Sequence, residues 1–143
     1  MKAQIYRIDK ELPLPKYETK GSFGFDFLAR ETTTVEPGTV GLIPSNTIIK
    51  CPDHTALLIL PRSSAYRKKG LIFPHSIGLI DQDYCGPEDE ILIQVLNLGK
   101  EDIVVERGER IAQGMFVNSP NIEFEEIETI EASSRGGFGS TGL

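Results

Sequence analysis

Ile80-Asp81-Gln82-Asp83-Tyr84-Cys85-Gly86 sets two carboxylates and a phenol in one short stretch after an apolar run. A carboxylate there can accept a proton or a hydrogen bond from water, and the tyrosine beside it can wall a pocket. The same residues also suit a polar β-hairpin, with Asp and Gly serving turn geometry. Pro61-Arg62-Ser63-Ser64, with Lys68 beyond it, gathers a guanidinium and two hydroxyls where a strand ends and amides are free. That is the composition of a phosphate cradle. Arg110-Ile111-Ala112-Gln113 opens an apolar run with a charge that also fits an edge strand. Gly24-Phe25-Asp26-Phe27 puts an acid between aromatic rings, which an ordinary strand-end aspartate would do as well. The last ten residues, Ser134 to Leu143, are too rich in glycine and hydroxyls to bury a core of their own. Arg135 offers a fork to phosphate oxygens, Ser140 and Thr141 add donors, and Phe138 offers a flat face for a ring. The segment reads as an arm that orders on a ligand. A flexible Gly/Ser tail, or a lone Arg-Gly-Gly contact to RNA, are the alternatives.

The elements that must position these groups are short strands. Val40–Ile43, Thr47–Ile49, Ala56–Leu60, Leu71–Phe73, Ile77–Ile80, Ile91–Leu96, Ile103–Val105 and Ile111–Val117 are apolar runs punctuated by Pro, Gly, Asn and Asp. Such spacing predicts an all-β sandwich or barrel. Ile91–Leu96 carries apolar residues on both faces and is expected to be buried on both. One helical turn is expected over Ser64–Lys69, capped by Ser63-Ser64. The acidic stretch Glu123–Glu131 is expected to be a final strand with a solvated face, and composition changes abruptly after Ala132. The expected organisation is therefore a β domain over 1–131 and an arm over 132–143.

A chain of 143 residues suits one domain, and its net charge of −6 argues against broad nucleic-acid binding. No apolar run is long enough to cross a membrane as a helix, and the N-terminus has no signal-peptide h-region. Cys51 and Cys85 lack metal-ligand spacing with His54 or His75. A reducing cytoplasm is the simplest compartment, without structural zinc.

Taken in order, the five polar segments resemble the five motifs of the trimeric dUTPase family (deoxyuridine triphosphate nucleotidohydrolases), from about Gly24 to Leu143. The resemblance implies a jelly-roll-like β barrel, a homotrimer with sites at subunit interfaces, and hydrolysis of dUTP to dUMP and pyrophosphate. It implies Mg²⁺ held mainly by the triphosphate. It also implies that the arm of one subunit closes over a site formed by its neighbours. On this resemblance Asp81 activates the attacking water and Tyr84 packs on the deoxyribose, excluding UTP. Arg62, Ser63, Ser64 and Gln113 contact phosphates; Arg135, Ser140 and Thr141 hold the γ-phosphate; Phe138 stacks on uracil. Leu79 and Ile80 belong to the hairpin whose backbone reads the base. Asp26 is expected to act through water or structure near the metal.

The chain departs from the family pattern at His75, where many relatives carry an asparagine near the base, and a loop-packing histidine is the alternative. Pro87-Glu88-Asp89 reads as an insertion, and Phe23, Phe25 and Phe27 make the first motif unusually aromatic. Cys85 sits at a variable position beside Tyr84 and reads as a passenger, with hindrance of binding by a modified thiol as the alternative. The competing readings are a dCTP deaminase or bifunctional deaminase, with Glu88 or Glu90 as general acid/base, and a catalytically silent nucleotide-binding regulator.

Overall fold

Short apolar runs broken by turn residues fold into eleven strands and one five-residue helix in the computed structural model, which describes residues 1–136. The strands are β1 (Gln4–Arg7), β2 (Phe25–Leu28), β3 (Thr33–Val35), β4 (Val40–Pro44), β5 (Thr47–Lys50) and β6 (Thr55–Pro61). They continue with β7 (Leu71–Ile72), β8 (Gly78–Ile80), β9 (Leu92–Asn97), β10 (Ile103–Val105) and β11 (Arg110–Asn118), and α1 (Ala65–Lys69) follows β6. The predicted all-β, jelly-roll-like class is borne out. Strands β1, β2 and β3 escaped the sequence reading: β3 is three residues long, β1 has little apolar content, and β2 was read only as a motif.

Two antiparallel sheets, in the orders β2-β11-β6-β8 and β4-β9-β7, face one core, and the ribbons β1-β5 and β10-β3 add to it. Phe27, Leu57 and Ala112 from the first sheet meet Ile43, Ile93 and Val95 from the second, all essentially fully buried. The register of β11 slips between Arg110 and Ala112, so that Ile111 and Ala112 are both buried in succession. A bulge of this kind re-aims the side chains that follow it. Here it sets Gln113 directly opposite Asp26. The aromatic first motif fits because Gly114 lies opposite Phe25: a Cβ on that glycine would come within 2.6 Å of the ring.

Three expectations are corrected. Ile91–Leu96 is not buried on both faces: Leu92 is 47% exposed and Gln94 is exposed, because nothing among the described residues covers the outer side of β9. Glu123–Glu131 forms no strand, for strand hydrogen bonds need a neighbour and none of the described residues supplies one. Its Phe124, Ile127 and Ile130, and Ile122 just before it, project into solvent. The helical turn is present, but Ser64 sits at its start without a side-chain cap. Ala65 N–H donates to Arg62 O and Lys68 N–H to Ser64 O, so the serine hydroxyl is not consumed by the helix.

Candidate active site

Strand β6 is the ruler of the site. At its C-terminal end Pro61 leads into Arg62, whose Nε donates to Asp26 Oδ1 at 2.8 Å. Arg110 Nη1 donates to Asp26 Oδ2 at 3.3 Å, so both oxygens of this carboxylate hold arginines. Arg110 also pairs with Glu18 at 3.8 Å, and Arg62 Nη1 reaches Arg110 O at 3.5 Å. Gln113 Nε2 donates to Pro61 O at 3.1 Å, tying β11 to the start of the arginine turn. Arg62, Ser64, Lys68, Lys69 and Arg110 line a cavity of about 250 Å³ over Leu71 and Phe73. Four cations on one rim, with Glu109 the acid among the lining residues, suit an anion. Ser63 is exposed on the same turn.

The other end of β6 carries the acid. Strand β8 pairs antiparallel with β6, with Gly78 opposite Ile59 and Ile80 opposite Leu57. Asp81 therefore leaves the sheet beside Ala56, while Arg62 leaves it at the opposite end. About six residues of strand lie between them, roughly 20 Å at ~3.3 Å per residue. Asp81, Gln82 and Asp83 line an open groove of about 540 Å³ with Leu79, Ile80 and Thr55. The turn is closed by Tyr84 N–H to Asp81 O at 3.3 Å and Cys85 N–H to Asp83 O at 2.9 Å. Gln82 Nε2 fastens it to Pro52 O at 2.9 Å. Among the described residues the Asp81 carboxylate makes no hydrogen bond or ion pair, and it stands exposed.

The structure thus brings Arg62, Ser64 and Gln113 together, and separately Leu79, Ile80, Asp81 and Tyr84; one chain does not join the two groups. His75 is exposed before β8, its ring stacked on Phe73 with centroids 6.0 Å apart. Arg135 is exposed in the extended stretch after β11, and Phe138, Ser140 and Thr141 lie outside the described residues. Sequence reasoning gave Arg110 no role beyond an edge charge and missed the Arg30–Glu90 pair. Arg30 Nε and Nη2 donate to the two Glu90 oxygens at 2.9 and 3.0 Å. This contact raises the Arg30 pKa above its ordinary value against the opposing effect of burial. No local signal marks the pair, whose members lie 60 residues apart.

No cluster of three or more His, Cys, Asp or Glu side chains able to hold a metal occurs among the described residues. No helix among them is long and apolar enough to cross a membrane.

Comparison with known proteins gives the family. A family model described as dUTPase matches residues 10–142. A deoxyuridine 5'-triphosphate nucleotidohydrolase of Erwinia tasmaniensis is 40% identical over 141 residues, spanning 95% of this chain and 91% of that protein. The crystal structure of dUTPase from Streptococcus mutans superposes with a TM-score of 0.77 at 32% identity, covering 84% of this chain and 98% of that one. A Staphylococcus bacteriophage 80alpha dUTPase, determined with dUpNHpp, shares the fold at a TM-score of 0.85 and 23% identity, covering 99% of each chain. With the family model spanning nearly its whole length, the chain belongs to the dUTPase family.

Proposed function

We propose that the chain is a dUTP diphosphatase, cleaving dUTP to dUMP and pyrophosphate, limiting uracil in DNA and supplying dUMP for dTTP synthesis. The observation that carries the chemistry is the exposed carboxylate of Asp81, free of partners among the described residues, on the same turn as Tyr84. A carboxylate within about 3 Å of a water accepts its proton as the oxygen approaches phosphorus. Attack at the α-phosphorus breaks the bond to the α–β bridging oxygen, and pyrophosphate leaves. Arg62, Ser63, Ser64 and Gln113 receive the phosphates, with Arg135, Ser140 and Thr141 of the arm on the γ-phosphate. Tyr84 packs on the deoxyribose, Phe138 stacks on uracil, and Leu79 and Ile80 present backbone to the base, with His75 nearby. A cytoplasmic setting fits this role.

The charges at the Arg62 end bear on magnesium. Asp26 has both oxygens on arginines, and the described residues offer no cage of acids, so the donor set fits Mg²⁺ carried by the triphosphate itself. When bound, the ion supplies charge neutralisation on the phosphates. We read Asp26 as the group that orients Arg62 and Arg110.

The active unit in this reading is a homotrimer. Its support is the separation of the half-sites by roughly 20 Å of strand, together with the exposed Ile122, Phe124, Ile127 and Ile130 of a segment that pairs with no strand among the described residues. A β domain over 1–131 then donates an arm, 132–143, to a site made by its neighbours. The deaminase reading is disfavoured by Glu90, whose carboxylate is held by Arg30 and by Asn46 N–H at 2.8 Å.

One assay tests the function: purified protein with Mg²⁺ and dUTP, dCTP, dTTP or UTP, with products separated chromatographically. The expected result is dUMP and pyrophosphate from dUTP alone. Ammonia from dCTP would favour the deaminase, and binding of dUTP without turnover the silent regulator. Light scattering at micromolar concentration is expected to give a trimer.

A further inference from the structure

Tyr84 is an odd wall. A hydroxyl at the sugar 2′ position can be rejected sterically only if the ring that meets it cannot tilt. Yet Tyr84 is 38% exposed and sits on a turn, so packing alone does not hold it. Its hydroxyl donates to Glu90 O at 3.2 Å. That carbonyl is fixed from several sides. Next to it, Ile91 N–H donates to Thr47 O and Ser45 N–H to Ile91 O, each at 3.0 Å. The Glu90 side chain, 12% exposed, takes the Arg30 fork through both oxygens and Asn46 N–H at 2.8 Å on one of them. Asn46 is itself buried, in a left-handed conformation at φ 67°. Arg30 is anchored by its own N–H to Pro44 O at 2.8 Å. The inserted Pro87-Glu88-Asp89 does not loosen this arrangement. It forms a turn closed by Asp89 N–H to Gly86 O at 3.1 Å and Gly86 N–H to Asp89 Oδ2 at 2.6 Å, returning the chain so that Glu90 O meets the tyrosine.

We propose that Arg30 and Glu90 are positioning residues for selection of deoxyribose over ribose: their bidentate pair fixes the main-chain acceptor on which the Tyr84 hydroxyl rests, and so stiffens the sugar wall. This rests on the reading of Tyr84 as the residue facing the sugar. In this proposal neither Arg30 nor Glu90 contacts substrate; both act through Tyr84. A bidentate pair suits the task because two parallel bonds restrain orientation as well as distance.

The test compares kcat/KM for dUTP and for UTP, with thermal unfolding, in the wild type and in Arg30→Met, Glu90→Gln, Tyr84→Phe and Tyr84→Ala. In the first three variants the dUTP-to-UTP ratio is expected to fall about fivefold, the scale of one net hydrogen bond. The fall should come from a rise in UTP turnover. A merely structural lesion lowers both substrates together and cannot create that gain. Arg30→Lys, which keeps the charge and loses the fork, is expected to fall between. Adding Arg30→Met to Tyr84→Phe should change the ratio no further, since the tether is already gone. An unchanged ratio in Tyr84→Phe overturns the proposal, even if Arg30→Met fails to fold. So does an additive double variant, or a lowered Tm with an unmoved ratio in Arg30→Met and Glu90→Gln. Tyr84→Ala separates the two layers. If it leaves the ratio at the wild-type value, the sugar-facing role itself fails and takes this proposal with it. If it collapses the ratio while Tyr84→Phe does not, only the tether is wrong.

Discussion

The two ends of β6 are built on opposite plans. At the Arg62 end the polar side chains are braced against one another: Asp26 holds two arginines, Gln113 holds Pro61 O, and Arg110 reaches Glu18. At the Asp81 end the acid has no partner among the described residues, Leu79 is 60% exposed and the groove is open. Groups that must meet a polyanion are set in advance, because moving charges during the reaction costs reorganisation. An acid that must meet water, and apolar residues that must meet a base, are left uncovered until something arrives to cover them. On the proposed function each end is half a site, and the contrast predicts which lesions hurt most.

The largest effect is expected at the bare end. Asp81→Asn keeps shape and removes the proton acceptor, so kcat should fall by about 10³-fold, with dUTP still bound as judged by calorimetry. Arg62→Ala should also be nearly inactive, through loss of phosphate affinity. Mixing these two inactive variants, with partial unfolding and reassembly, breaks or sharpens the comparison directly. If the two ends meet only between copies, a random trimer restores about one site in four. No recovery of turnover in verified mixed trimers would mean that each chain uses its own Asp81 and Arg62.

A smaller loss is expected from Asp26→Asn. The neutral amide keeps one acceptor, loses the bond to the other arginine and removes the charge opposite both guanidinium groups, so KM for dUTP should rise about tenfold with kcat much less changed. If magnesium dependence shifted and KM did not, Asp26 would be serving the metal and not the arginines.

How much of this was legible beforehand follows the same divide. Strands such as β6 and β11 announce themselves as short apolar runs between turn residues, and the residue types of Asp81, Tyr84 and Arg62 announce what chemistry they could do. What the sequence could not carry is register. The spacing from Arg62 to Asp81 does not tell that an antiparallel pairing sends them to opposite ends of one strand. The partners of Asp26 were hidden for the same reason, since Arg62 and Arg110 come from distant positions. The acidic stretch after β11 carries spaced apolar residues as a strand would, but these give only the willingness to pair, and the described residues supply no partner.

The mildest prediction concerns a charge pair away from both ends. Asp9 accepts from Arg107 Nη2 at 2.6 Å and Nε at 3.2 Å, and from Glu11 N–H at 2.9 Å. The arginine contact first, then the backbone donor, hold its pKa below the ordinary 3.8. A carboxyl depressed on folding contributes stability that is present above 3.8 and lost as pH falls through the lower folded value. Asp9→Asn removes that titration and leaves the bonds between the Asp9 backbone and the Asn46 side chain in place. Unfolding followed from pH 7 down to 3 should give a slightly lower Tm for the variant at neutral pH, with the two curves converging at the acid limit. Because the pair is solvent-exposed, added salt should shrink the difference. Turnover at pH 7 should stay at the wild-type level, since neither half-site uses this carboxylate. A drop in turnover at constant Tm would mean that Asp9, through Asn46 and Glu90, helps shape the Asp81 end, and the contrast between a braced end and a bare one would have to be redrawn.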